Sequence, residues 1–260
     1  MKKLPISAVV VSCNEGDLLK ECLENIQFCD ELIVVDLNST DNTVLVAAQY
    51  TNNVIFHKPV RVVEYVRAWI KDKVKYDWIL FVDPDEVYPD SLRLEIEQLF
   101  EDGIEYNISG VELPWQFYFK QYPLKGTNWG GKQYKTALRH RYRNNFSEDV
   151  HRDMNSKDGY NLIRIEMNDR NAIKHKWMQS YVQLIQKHNR YIKEEGKSLF
   201  NCGKRYSLSE HAKEVYRAFR YSLVTKKGYL DGMIGLLLSL FWAWYNFKIW
   251  NSLKKYQSSI

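Results

Sequence analysis

"ISAVVVSCNEGDLLKECLENIQFCDELIVVD", residues 6–36, changes its hydrophobic period twice. Ile6 to Ser12 is a β-branched run, and Leu32 to Val35 is a second continuous apolar run. Between them Leu18, Leu19, Cys22, Leu23 and Ile26 recur at helical spacing, so the stretch predicts strand, helix, strand. Working outward, "NSTDNT" (38–43) offers turn and cap residues before a short helix in "VLVAAQY", and "NVIFH" (53–57) predicts a third strand. A helical stretch around Val62 to Val74 leads into a fourth strand, "DWILFV" (77–82). Strands that alternate with helices and are apolar along their length predict an α/β fold with a mostly parallel sheet covered on both faces.

With 260 residues, 45% of them hydrophobic and 27% charged, the chain holds enough apolar material for one large domain or a domain with an appendage. That balance argues against disorder. The formal net charge of +5 suits an anionic partner such as a nucleotide, a lipid headgroup or a nucleic acid, without choosing among them. Cys13, Cys22, Cys29 and Cys202 form no C-x-x-C pair, which suits a reduced, cytoplasmic chain. Ile6 to Ser12 is too short for the apolar core of an export signal, so no export is expected.

Ligands of such sheets bind beyond the carboxyl ends of the strands. The first strand ends in Ser12, Cys13, Asn14 and Glu15, the second in Asp36, Leu37, Asn38 and Ser39, and the fourth in Asp83, Pro84, Asp85 and Glu86. Neither G-x-G-x-x-G nor G-x-x-x-x-G-K-[ST] is present, so neither a Rossmann dinucleotide site nor a P-loop is supported. Asp36 can accept a hydrogen bond from a base or ribose, or equally cap the turn that follows it. Asp83 and Asp85, one residue apart at a strand end, can share a hard divalent cation, Mn²⁺ or Mg²⁺, with phosphate oxygens completing the shell. A bare D-x-D also occurs as a solvated turn, here with Pro84 setting the backbone.

"AVVVSCNEGDLLKECLENIQFCDELIVVDLNSTDNT" (8–43) followed by "WILFVDPDE" (78–86) resembles the start of the family 2 glycosyltransferases, which have the GT-A nucleotide-diphospho-sugar transferase fold. "HKWMQSYVQLIQKHNRY" (175–191) and "KKGYLDGMIGLL" (226–237) are similar to the branch that includes bacterial lipopolysaccharide-core glucosyltransferases. The resemblance implies inverting transfer of a sugar from a nucleotide-diphospho-sugar, UDP-sugar favoured, to the hydroxyl of a carbohydrate or lipid-linked saccharide acceptor. It also implies places for Asn14 and Glu15 near the nucleotide, Asp36 at the base, and Asp83 with Asp85 at the metal and diphosphate. Ser12 and Asn38 join this set as neighbours on the same rim. Asp85 is expected to bind the metal directly, Asp83 to reach the sugar, ribose or metal-bound water, and Glu86 to support them.

An inverting displacement also needs a base to take the acceptor's proton, a contribution of about 10²–10⁴ in rate. "NNFSEDVHRDM" (144–154) offers Asp149 first and Glu148 second, beside the basic run "RHRYR" (139–143) that would keep them ionised. Family members often carry an acidic pair or Val-His-Glu here; this chain departs from the latter, with Arg152 after Val150-His151, and an arginine cannot act as a base. Charge pairing of Glu148 with Arg152 on a surface loop is the bland alternative. His175, in "NAIKHKW", can supply a nitrogen to the metal or a donor to the diphosphate, or be structural. The other histidines form no ligand-spaced pair, so no zinc site is expected.

Residues 111–145 are rich in aromatic and basic side chains, which suit an acceptor loop or an ordinary sheet extension. No nucleic-acid module accompanies them, and no nucleic-acid partner is expected. The expected organisation is a catalytic domain over residues 1–176 and a helical extension over 177–260. In the extension, Met233 to Tyr245 is an uncharged apolar run, too short on its own to span a bilayer. Lys226, Lys227, Lys248, Lys254 and Lys255, with Trp242, Trp244 and Trp250, suit a helix lying on the inner membrane surface. The competing expectation is a helix buried against its own domain or in a homo-oligomer. Two further function classes stay open at this stage. One is a haloacid-dehalogenase-like phosphatase with Asp83 as nucleophile and Asp85 as general acid. The other is a catalytically silent carbohydrate- or membrane-binding protein, motivated by Arg152.

Overall fold

β1 (Leu4–Ser12), α1 (Gly16–Asn25), β2 (Cys29–Asp36), α2 (Thr43–Ala47), β3 (Val54–Phe56), α3 (Glu64–Ile70) and β4 (Trp78–Val82) alternate along the first third of the chain. The computed structural model describes residues 3–60, 62–146 and 155–259. The continuous apolar strands are explained by two cores, one on each face of the sheet. Ile6, Ala8, Val10, Val34, Leu80 and Val82 pack with Leu19 and Leu23 of α1 on one side. Val9, Ile33, Val35, Ile79 and Phe81 pack with Val66 and Ile70 of α3 on the other. Successive strand residues point to opposite faces, so both faces demand apolar side chains.

The chain continues through β5 (Glu86–Val87), α4 (Asp90–Asp102), β6 (Ile108–Phe119), β7 (Tyr122–Pro123), β8 (Gln133–His140), β9 (Asn144–Asn145), β10 (Asn155–Ser156), β11 (Asn161–Arg164) and β12 (Ile173–Met178). The main sheet runs β3-β2-β1-β4-β8-β6-β12-β5, and β9 and β10 form a separate small ladder. Its first four strands are mutually parallel. Beyond β4 the neighbours β8, β6 and the β5–β12 pair run antiparallel, making the sheet mixed. The parallel register sets Ser12 opposite Asp36 and Val10 opposite Val82, so three strands end together.

Helices α5 (Tyr181–Asn189), α6 (Ile192–Asn201), α7 (Leu208–Arg220) and α8 (Gly232–Gln257) follow, with a π turn at Tyr221–Thr225 and a 3-10 turn at Gly228–Asp231 between α7 and α8. Residues 181–201 thus form two helices, broken at Arg190 and Tyr191. The apolar run 233–245 lies inside a 26-residue helix. Among the described residues no helix is long and apolar enough to cross a membrane.

Contacts divide the chain into two units, Met1–Trp115 with Gln133–His175, and Gln116–Lys132 with Lys176–Ile260. Within the second unit, residues 116–132 are tied to the turn before α8. The Asp231 carboxylate accepts from the backbone N–H of Lys125 at 2.7 Å and of Gly126 at 2.8 Å. A Cβ at Gly126 would stand 2.1 Å from the Lys227 carbonyl oxygen, so only glycine permits this approach.

Candidate active site

The rim at the ends of β1 and β2 is knitted together by its own polar residues. Asn14 and Asn38 both adopt left-handed backbone, with φ of 56° and 64°, a conformation that asparagine tolerates better than most residues. Asn14 Oδ1 accepts from the Thr40 backbone N–H at 2.7 Å, and the Asn14 N–H donates to Ser39 Oγ at 2.9 Å. Asn38 is exposed. Ser12 is buried, and its hydroxyl lies 3.4 Å from Glu15 Oε2. Burial first, and then the nearby Asp85 charge, push the Glu15 carboxyl up to about 7.

Asp36 is buried at the same edge. Its Oδ2 accepts from the Ser39 N–H at 3.0 Å, which is the turn-capping role expected of it. Its Oδ1 is buried and, among the described residues, meets no hydrogen-bond donor. An unpaired buried carboxylate oxygen is costly, and a ligand N–H or O–H would relieve it.

After β4, the three acids take separate roles. Asp83 is held at both oxygens: Oδ1 accepts from Arg67 at 2.8 Å and Oδ2 from Lys135 Nζ at 2.7 Å. Burial works to raise its carboxyl, but the Lys135 and Arg67 cations prevail and hold it well below the usual carboxylate range. Glu86 is fully buried, accepts from Lys135 Nζ at 2.6 Å, and receives the Asp83 backbone N–H at 3.1 Å. Burial raises the Glu86 carboxyl, with Lys135 opposing. Burial disfavours the Lys135 charge, yet Asp83 and Glu86 raise its ammonium above the ordinary lysine value.

Asp85 turns the other way. Its Oδ2 lies 3.1 Å from His175 Nε2. The contact is built by the antiparallel bridge between β5 and β12, which sets His175 opposite Glu86. His175 is buried and stacks on Trp115, ring centroids 4.7 Å apart and planes 11° apart. With its proton on Nδ1, the imidazole presents the Nε2 lone pair beside the Asp85 carboxylate, and one cation can take both. A carboxylate and an imidazole from two strands fit Mn²⁺ or Mg²⁺ when phosphate oxygens and water supply the remaining ligands. Among the described residues no group of three or more His, Cys, Asp or Glu side chains is placed to hold a metal by itself.

The structure thus brings Ser12, Asn14, Glu15, Asp36 and Asn38 to one rim, Asp83 into a cation clamp, and Asp85 to His175. Glu148 and Asp149, the candidate bases, and Arg152 lie outside the described residues. Arg67, Lys135 and Trp115 were not singled out by the sequence. For Lys135 the period of β8 gives no local signal, because Ala137 and Leu138, one on each face of the strand, both belong to the core. Arg67 follows the buried Val66 of α3 and carries no signal either.

The family model for glycosyl transferase family 2 matches residues 7–154, more than half of the chain. The chain belongs to this glycosyltransferase family. Its α/β architecture is accordingly of the GT-A type. The glycosyltransferase is 26% identical over 245 residues to an uncharacterized glycosyltransferase of Rickettsia bellii, covering 88% of this chain and 81% of that one. It is 28% identical over 101 residues to the lipopolysaccharide core biosynthesis glycosyltransferase LpsC of Rhizobium meliloti, covering 37% of each. A crystal structure of glucosyl-3-phosphoglycerate synthase from Mycobacterium tuberculosis with Mn²⁺, UDP and glucosyl-3-phosphoglycerate matches 44% of this chain and 44% of that chain, at 23% identity and a TM-score of 0.34. Membership of the family displaces the phosphatase reading, and Asp83 is engaged by two cations, Arg67 and Lys135.

Proposed function

We propose that this glycosyltransferase moves a sugar, with inversion, from a uridine diphosphate sugar to a hydroxyl of a carbohydrate or lipid-linked saccharide. The observation that carries the reading is the Asp85–His175 pair at the carboxyl end of the parallel half of the sheet. The name of the Rhizobium meliloti relative supports lipopolysaccharide or cell-surface polysaccharide as the acceptor class.

In this reading Asp36 receives the N3–H of uracil at Oδ1, and Asp85 with His175 would hold Mn²⁺ or Mg²⁺ against the diphosphate. A cation held by Asp85 and His175 would neutralise charge that develops on the leaving group. The acceptor oxygen bonds to the anomeric carbon while the bond from that carbon to the diphosphate oxygen breaks, and the electron pair leaves with UDP. Asp149, with Glu148 as second choice, takes the acceptor's proton. Lys135 acts as a positioning residue: by joining Asp83 to Glu86 it fixes the turn that presents Asp85.

Melting curves with UDP-, GDP- and dTDP-sugars, each with and without Mn²⁺, test the donor. The expected result is stabilisation by a UDP-sugar that depends on Mn²⁺ and is lost in Asp85→Ala. Stabilisation that needs no metal and survives Asp85→Ala would overturn the assignment. The anomeric configuration of the product, read by NMR, tests inversion.

A further inference from the structure

The segment from residue 204 to 260 carries ten Lys and Arg against three Asp and Glu, although the whole chain has 37 against 32. Those three acids are engaged within the second unit. Glu210 pairs with Lys213, Glu214 with Arg217, and Asp231 holds the backbone N–H groups of Lys125 and Gly126. Among the described residues, Arg220, Lys226, Lys227, Lys248 and Lys255 thus have no side-chain carboxylate of their own segment to neutralise them. The positive charge faces outward.

An apolar face lies among these cations. α8 buries Leu238, Phe241, Tyr245, Ile249 and Leu253 on one side. On the other it leaves Met233 68%, Leu237 40%, Leu240 50% and Phe247 46% exposed. These four recur at spacings of four, three and seven residues, so they form one stripe about 21 Å long at 1.5 Å per residue. Between this stripe and α7 runs a groove of 510 Å³ whose lining includes Val215, Tyr216, Phe219, Leu240 and Phe247. Lys226 lies over the Tyr221 ring and Lys248 over the Trp244 ring, so cationic heads and amphipathic aromatics share the border of the patch.

We infer that the α7–α8 face docks on a bilayer containing anionic phospholipid, with acyl chains against the groove and lipid phosphates on the lysine and arginine rim. Charge decides the occupant. A second copy would bring the same excess of cations against itself, whereas an anionic leaflet complements it. Apolar side chains bordered by Tyr, Trp and Lys are what an interfacial helix presents.

The test is co-sedimentation of the full chain with sucrose-loaded vesicles, with no donor or acceptor present, so its outcome is independent of the proposed transfer. Vesicles of phosphatidylcholine with about 30% phosphatidylglycerol should bind the chain at least tenfold more tightly than phosphatidylcholine alone, and salt should weaken the binding. Reversal of Lys226, Lys227 and Lys248 to Glu should reduce it by about a hundredfold or more. Leu240→Ser with Phe247→Ser should reduce binding about tenfold and leave the salt dependence in place. Circular dichroism melts identify variants that fail to fold, for which Met233→Ser with Leu237→Ser is the replacement. Equal affinity for the two vesicle types, or none for either, overturns the inference. So does concentration-dependent self-association without lipid that Leu240→Asp abolishes, an outcome that would assign the face to a second copy.

Discussion

The strand-end rim of the first unit and the α7–α8 face of the second treat charge in opposite ways. At the rim most of the acids meet a partner fixed in place: Arg67 and Lys135 on Asp83, Lys135 on Glu86, and His175 Nε2 beside Asp85. The matching groups are largely buried and come from α3, β8 and β12, so each is fixed in direction. On the α7–α8 face cations outnumber acids and project from exposed positions beside exposed apolar side chains. Buried, paired charge suits a small ligand whose atoms must be placed, because low dielectric makes each contact directional. Exposed, unbalanced charge suits an extended anionic surface, where the number of cations counts for more than their geometry.

The comparison breaks if changes in one region act on the readout of the other. Rim variants are expected to alter transfer, donor binding or folding and to leave vesicle binding unchanged in any variant that folds. The largest effect is expected for Asp149→Asn, a loss of about 10²–10⁴ in kcat with donor binding preserved, measured by steady-state kinetics and by melting curves with UDP-sugar. Normal turnover would move the base elsewhere, with Glu148 next. Lys135→Met should follow, destabilising the fold by about 3–5 kcal/mol in urea denaturation, because it strands the buried Glu86 and one oxygen of Asp83. Adding Glu86→Gln should recover part of that loss, and a strictly additive double mutant would mean that the two do not act as a pair.

Asp36→Ala should weaken UDP binding by about tenfold while leaving metal dependence intact, as expected for loss of about one hydrogen bond to a charged group. A separate effect, read by pH rather than by ligand, is the response of Glu15, whose carboxyl is raised from 4.5 to about 7. A raised carboxyl binds its proton more tightly in the fold than in the unfolded chain. Its contribution to stability is therefore fully present below 4.5 and is lost as the pH rises through 7. In metal-free buffer Glu15→Gln should melt with the parent at the acid end and a few degrees above it by about pH 8. A constant difference across that range would show that burial of the charge is not the cause.

Much of the first unit was legible because its signals are local. Continuous apolar strands, an amphipathic α1 and turn-forming polar residues after each strand identify the βα units, and the strand ends then name Asp36, Asp83 and Asp85 without any long-range information. His175 stood open between a metal or diphosphate role and a structural one, since nothing near it in sequence decides between them. The helical character of residues 181–257 was equally legible, but the break at Arg190–Tyr191 and the attachment of residues 116–132 to the second unit were not. The break follows no proline or glycine, and the attachment rests on Asp231 reaching two backbone N–H groups about a hundred residues earlier.

The sequence by itself determined the alternating architecture, the acidic rim and the segregation of basic and apolar residues toward the last fifty-odd positions, because period and composition are read directly from neighbours in the chain. The tertiary structure alone decided which acid meets which cation. That depends on the antiparallel bridge that brings β12 to β5 and on β8 lying beside β4, pairings set by burial across the sheet rather than by any local pattern. It is this placement that separates Asp83, clamped by Arg67 and Lys135, from Asp85, turned toward His175.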